Sequence, residues 1–230
     1  MRFVIKLSGS ILDTKENLDE LKKILYEIEN ESKNESKIAL VIGGGRRSRE
    51  LIDAGRVFDL TELELDKIGI ALTHINAMII IGALHDLGYP RVVTDFEDAI
   101  IAWNQGKIPV MGGLTPGHST NAVAAMLAEY TRADILFNAT KAGGVFNKDP
   151  VKYPDAVMLE SISVDKLKKI INSSLKAGKY ELMDEVALGI IERSRITTRI
   201  IGTDAESLRK ALKGQKTGTY IVFERKEKNS

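Results

Sequence analysis

Three glycine-rich turns each follow a short apolar run: "KLSGS" from Lys6 to Ser10, "VIGGGRRSRE" from Val41 to Glu50, and "GGLTPGHST" from Gly112 to Thr120. Glycine permits unusual backbone angles and close approach of the main chain. Such turns can bring several N–H groups to one place, and a helix starting just after them adds the positive end of its dipole. The chemistry this suits is binding of a bulky anion, phosphate above all. The third turn has the outline of a P-loop: Gly112, four residues, Gly117 and then Ser119 fit G-x-x-x-x-G-K-[ST], but His118 stands where the lysine belongs. Histidine is shorter and mostly neutral at pH 7. A Walker-type NTPase is therefore rejected, while the amides and the hydroxyls of Thr115, Ser119 and Thr120 can still hold a phosphate or a sugar. The second turn is not a dinucleotide fingerprint, because reading G-x-G from Gly43 puts Ser48 at the last glycine.

The cations near these turns have two open readings. Lys6 ends an apolar run, where burying an ammonium without a partner is costly. It either snorkels to water or supplies a fixed charge at a phosphoryl site. Arg46, Arg47 and Arg49 fall in the first turns of a helix, where cations oppose the dipole. A solvated basic face and a bound anion both account for them. His74 and His85 have no metal-ligand spacing and read as structural. No nucleophile elbow, H-E-x-x-H motif or carboxylate pair is present.

The elements that must position these turns alternate. "RFVIKL", "IALVI", "RVV", "IPVM", "DILFNA", "TTRIIG" and "TYIVFE" are short and rich in β-branched residues, as in strands covered on both faces. Between them run amphipathic stripes: Leu18, Leu21, Leu25 and Ile28; Val123, Met126, Leu127 and Tyr130; Val164, Leu167 and Ile171 behind a Ser163 cap. The pattern predicts a three-layer α/β/α sandwich on a mainly parallel sheet, forming one domain over residues 1–230. "GGVFNKDPVKYPDA" holds two of the five prolines and reads as a long surface loop. The window from Ile68 to Leu84 is apolar but contains Thr73, His74 and Asn76, and it is marginal for a bilayer span. It reads as a buried helix or a subunit interface, and Asp at Ile80 is expected to split an oligomer.

The bulk numbers agree with a globular chain. Apolar residues make up 43%, and 33 Lys and Arg against 32 Asp and Glu leave a net charge of +1. That balance argues against a nucleic-acid binder. With no cysteine there is no disulfide framework or thiolate metal site. "MRFVIKLSGS" is too short and too charged for a signal peptide, and the expected location is the cytoplasm.

The blocks "KLSGS", "VIGGGRRSRE", "DKIGIALTHINAMIIIGAL", "GGLTPGHSTNAVAAMLAE" and "ATKAGGVFNKDP", in that order and followed by "YELMDEVALGIIERSRI", resemble the amino-acid kinase fold family, and within it the uridylate kinases of archaeal type. The resemblance implies transfer of a phosphoryl group from Mg²⁺·ATP to UMP. It places Gly9, Ser10, Gly45 and Arg49 on ATP, with Thr140, Phe146 and Asp149 at its nucleotide end. It places Gly44, Asp66 and the run Leu114, Thr115, Pro116, Gly117, His118, Ser119 and Thr120 on UMP. Lys6 and Arg49 take the catalytic roles, and the Mg²⁺ is held by the ATP phosphates with no direct protein ligand. Residues up to about 112 serve acceptor and oligomer contacts, and 113–225 mainly ATP. A hexamer built from dimers packed through the long helix, no nucleic acid and no membrane complete the expectation. "TKAGGVF" departs from the "TNVDGVY" of many relatives: Phe146 lacks a hydroxyl, and Lys141 and Gly143 alter the adenine and ribose end. Asn121 is given no catalytic role. The competing readings are a kinase of the same fold acting on a carboxylate, a carbamate or isopentenyl phosphate, and a non-catalytic member that binds an oxyanion or a nucleotide.

If Lys6 meets the migrating phosphoryl group, Lys6→Ala should lower kcat roughly 10²-fold with UMP binding little changed. Steady-state kinetics with UMP and Mg·ATP test this; an unchanged kcat means that the side chain only snorkels.

Overall fold

The computed structural model describes residues 1–148, 150, 152–175 and 183–223, with the side chains of 172–175 left aside. Among these, seven strands form one sheet: β1 (Arg2–Leu7), β2 (Lys37–Ile42), β3 (Val110–Met111), β4 (Ile135–Thr140), β5 (Ser161–Ser163), β6 (Thr198–Gly202) and β7 (Thr219–Val222). The order is β3-β2-β1-β4-β6-β7-β5. Only β6 and β7 pair antiparallel. Chain order reverses at β1, with β2 on one side and β4 on the other, so the carboxyl ends of β1 and its neighbours form the crevice where ligands of open α/β sheets gather. Lys6 stands opposite Val41 and Asn138 in this register.

Side-chain alternation sorts the core into two halves, as the three-layer reading requires. Phe3, Ile5 and Leu7 of β1 pack with Leu21, Ile24, Leu25 and Ile28 of α1 (Lys15–Lys33) and with Leu208 of α8 (Ala205–Leu212). Val4, between them, packs on the opposite side with Val123 and Leu127 of α5 (Thr120–Tyr130), Ala102 of α4 (Phe96–Asn104), Leu167 of α6 (Val164–Leu175) and Leu188 of α7 (Glu185–Ser194). Lys6 shares the face of Val4. Leu18 and Tyr130, members of the expected stripes, are 40% and 47% exposed at the helix margins.

Two helices carry most of the site's scaffold. α2 (Gly45–Val57) starts in the second glycine turn. α3 (Glu62–Ala83) starts with a capping box in which Thr61 and Glu64 satisfy each other's main-chain N–H. The Thr61 N–H holds the Glu64 carboxyl below the usual carboxylate range. By length and composition α3 could cross a bilayer. Here Leu65, Thr73, Asn76, Ala77 and Ile80 are buried, while Ile75, Met78 and Ile79 are exposed.

Three expectations change. "RVV" forms no strand, only a single bridge from Val93 to Met111. β5 was not expected; its sequence is only Ser-Ile-Ser, and it exists through parallel pairing with β7. Ile80 is fully buried against the sheet, so it faces the core and not a neighbouring subunit. Ahead of β7, the buried Arg199 of β6 donates from Nε to Thr217 O at 2.5 Å and from Nη2 to Gln215 O at 2.7 Å, pinning the α8–β7 connection. Burial depresses its pKa, and the Tyr220 ring 4.3 Å from the guanidinium opposes that shift.

An Asp at Ile80 would bury a carboxylate in this core, so Ile80→Asp should lose about 3 kcal/mol or more of stability in urea unfolding. Met78→Asp, on the exposed face of α3, removes no core contact and should leave each protomer folded, with the parent's circular dichroism. Equal midpoints for Ile80→Asp and the parent would contradict the placement.

Candidate functional site

The first two glycine turns touch backbone to backbone. A Cβ on Gly9 would lie 2.2 Å from Gly43 O and 2.3 Å from Gly45 N, closer than atoms can approach. Gly45 has φ +74°, a conformation natural only to glycine. Ser8 caps the short 3-10 turn Gly9–Leu12, accepting from Ser10 N at 3.4 Å, with its hydroxyl 3.0 Å from that of Ser10. At the start of α2, Arg46 N donates to the Asp13 carboxylate at 3.3 Å. The third turn joins them: Thr120 Oγ1 would lie 3.6 Å from a Cβ on Gly43.

The polar residues of α3 fix the third turn. Thr73 Oγ1 donates to Ile70 O at 2.6 Å and accepts Gly113 N at 2.7 Å. His74 Nε2 lies 2.7 Å from Gly113 O, which places its proton on Nε2. Asp66 accepts Gly117 N at 2.6 Å, holding the tip of the turn. The result is a pocket of about 150 Å³ between Ser48 of α2, the α3 residues Asp66, Gly69, Ile70 and Thr73, and Gly113 with Thr115 and His118–Thr120. The main-chain N–H of His118 donates to Thr115 O at 3.1 Å, closing the turn. Leu114 packs partly on the core, Pro116 is half-buried, and Gly117 is exposed with positive φ.

Ser119 caps α5, accepting from Asn121 N and Ala122 N at 3.0 and 3.2 Å, and donates its hydroxyl hydrogen to Asp184 at the start of α7. That hydrogen is therefore committed within the protein. Thr120 Oγ1 makes no hydrogen bond among the described residues, and it lines the pocket.

The residues expected around the nucleotide end of ATP lie on the other side of β1. Thr140 ends β4; its Oγ1 is buried without a hydrogen-bond partner among the described residues. Phe146 bridges to Met158 across the two limbs of the loop after β4. Thr219 of β7 anchors both limbs, accepting Val145 N at 2.8 Å and donating to Leu159 O at 2.6 Å. Asp149 lies outside the described residues. Arg49 is exposed on α2 and is not part of the pocket wall. The fold thus brings Gly9, Gly44, Gly45, Asp66 and the third turn together around one crevice, with Thr140 and Phe146 beyond β1. Sequence reasoning missed Ser48, Gly69, Ile70, Thr73 and Asn76. The signal for two of them was present, since Thr73 and Asn76 lie three apart in an otherwise apolar helix.

Residues 1–202 match the model of the amino acid kinase family. The chain is 43% identical over 224 residues to a uridylate kinase of Methanocaldococcus jannaschii, covering 96% of this chain and 99% of that one. It is 38% identical over 230 residues to one from Sulfolobus acidocaldarius, covering 97% and 100%. Among solved structures, the uridylate kinase of Archaeoglobus fulgidus superposes with a TM-score of 0.86 at 35% identity, over 96% of this chain and all of that one.

The contact of Gly9 with Gly43 and Gly45 leaves no room for a methyl group, so Gly9→Ala must push the first two turns apart. The variant should fold and lose catalytic activity at least about 10²-fold, as expected when groups in a reacting constellation shift by an ångström. Circular dichroism and turnover measured together check this; near-parental turnover would show that the two turns need not touch.

Proposed function

The chain belongs to the amino acid kinase family, and on that footing we propose that its pocket at the third turn takes the pyrimidine nucleotide whose kinases it matches end to end. It is a nucleoside monophosphate kinase, a uridylate kinase that moves the γ-phosphoryl group of ATP to UMP and yields UDP and ADP. One observation carries the assignment of sides: the walled pocket lies on the β2 side of β1, and the unpartnered Thr140 hydroxyl lies on the β4 side. UMP fits the first and the nucleoside of ATP the second, so the two phosphate tails meet over the glycine turns at the carboxyl end of β1.

The mechanism follows from what stands there. A phosphate oxygen of UMP is already a nucleophile, so no general base is needed. The work is alignment of two anions and neutralisation of the charge between them. The main-chain N–H groups of the first two turns supply donors that cost no reorganisation during the transfer. Lys6 adds a fixed charge from the strand end, and Arg49 one from the second turn of α2. Asp66 holds the tip of the acceptor turn through Gly117 N. The described residues offer amides and hydroxyls around the turns and no group of three carboxylates or imidazoles. Such a donor set fits a Mg²⁺ ion carried in on the phosphates of ATP, where it would offset the charge on their β- and γ-oxygens.

The exposed apolar residues Ile75, Met78 and Ile79 of α3 suit pairing with a second copy, as the core of a dimer-based hexamer in the cytoplasm. Met78→Asp, innocuous to the fold, should then lower the sedimentation coefficient of the assembly.

The purified protein should form UDP from UMP and Mg·ATP, with CMP a much poorer acceptor. ADP release over a panel of acceptors decides it. No turnover with any nucleoside monophosphate, beside brisk turnover with a small carboxylate, carbamate or isopentenyl phosphate, overturns the assignment.

A further inference from the structure

Asn76 is a polar side chain that the reaction as described does not use. It is 6% exposed, on the face of α3 that also buries Ala77 and Ile80. An amide in such a place is costly unless its hydrogen bonds are made. Both of its N–H donors are used in one direction: Nδ2 donates to Gly43 O at 2.9 Å and to Gly44 O at 3.1 Å.

Those carbonyls belong to the peptide units that carry the N–H groups of Gly44 and Gly45. No peptide bond among the described residues is cis, and a trans unit points its C=O and N–H to opposite sides. With both carbonyls drawn toward α3, both N–H groups face away from it. The neighbouring amides are committed, Gly43 N to Leu7 O at 3.0 Å and Arg46 N to the Asp13 carboxylate. Gly44 N and Gly45 N have no partner among the described residues. Gly44 is right-handed (φ −77°, ψ −28°) and Gly45 follows at φ +74°, the alternation of hand in which successive N–H groups converge on an anion. Gly45 N lies beside Gly9 of the first turn, 2.3 Å from where a Cβ there would stand, and the clamped Gly43 O lies 2.2 Å from the same position.

We propose that Asn76 is a positioning residue for phosphoryl transfer, holding the Gly43 and Gly44 carbonyls back so that the Gly44 and Gly45 N–H groups face the phosphates. This rests on the kinase reading above. The need for a clamp follows from the glycines themselves. A Gly-Gly peptide can flip at little cost, since glycine populates both hands. A flipped unit would aim a carbonyl oxygen at an anion. α3 thereby sets the polarity of the second turn from behind, through a side chain that never touches substrate.

Asn76→Leu keeps the volume and removes both donors. Its kcat, normalised to the folded fraction, should fall roughly 10²-fold, the low end of the loss on removing one preorganised donor. A lower unfolding midpoint with kcat and both KM values within twofold of the parent would show a merely structural role and overturn the proposal. Because this variant can fail to fold, the wild type supplies a second test. In protein labelled with ¹⁵N-glycine, the Gly44 and Gly45 amide signals should move on adding ADP or UMP. Signals that respond to neither nucleotide overturn the proposal. Signals that move in a wild type that transfers no phosphoryl group would uphold the placement of the amides and overturn the kinase reading instead.

Discussion

The close approach of Gly9 to the Gly43–Gly45 backbone is the contact on which the rest of the site depends. Two main-chain segments come nearer than any side chain would allow, because each ends a parallel strand and the strands are neighbours. Hydrophobic burial on both faces of the sheet fixes β1 and β2, and the turns inherit their separation. Two like-charged substrates must be held at one point, and amides serve better than side chains here. They carry partial positive charge, lose no rotamer freedom, and are oriented before the ligand arrives. Glycine is what makes a double row of them possible.

The long helix α3 then acts as a template. Its apolar residues Leu65, Ala77 and Ile80 are buried, and four of its polar residues, Asp66, Thr73, His74 and Asn76, face the turns. Thr73 and His74 take the N–H and the carbonyl of Gly113, Asp66 takes the N–H of Gly117, and Asn76 takes the carbonyls of the second turn. Each interaction is modest alone, about 1 kcal/mol net for a neutral pair. Their common origin on one rigid helix makes the two turns a single unit. The helix is apolar enough to pass for a membrane span because its exposed side is apolar too, with Ile75, Met78 and Ile79 on it.

Much of this was legible in the sequence, and the reasons differ by element. The buried parallel strands announce themselves as unbroken β-branched runs, and "KLSGS", "GGG" and "PGHST" mark the glycine-containing turns that gather at the carboxyl ends of those strands. β5 was invisible because a three-residue strand takes its form from β7 and not from its own residues. Ile80 was placed at an interface because a helix that is apolar all round does not reveal which side meets the sheet. Ser119 illustrates another limit. The spacing gives it the place of a phosphate-binding hydroxyl, but its hydrogen goes to Asp184, sixty-five residues away in sequence. Thr73 and Asn76 were visible as polar interruptions of an apolar helix, yet their partners are glycine carbonyls and amides that no side-chain pattern encodes.

On the proposed reading, the P-loop look-alike holds the acceptor and not ATP. Thr120 is its sharpest probe: the hydroxyl lines the pocket, starts α5, and sits beside Gly43. Loss of one hydrogen bond to a charged group costs about 1.5–3 kcal/mol. Calorimetric titration of Thr120→Ala with each nucleotide separately should therefore show UMP binding weakened roughly tenfold or more, with ATP affinity nearly unchanged. A fall in ATP affinity with UMP affinity preserved would reverse the two sides of the site and contradict the account.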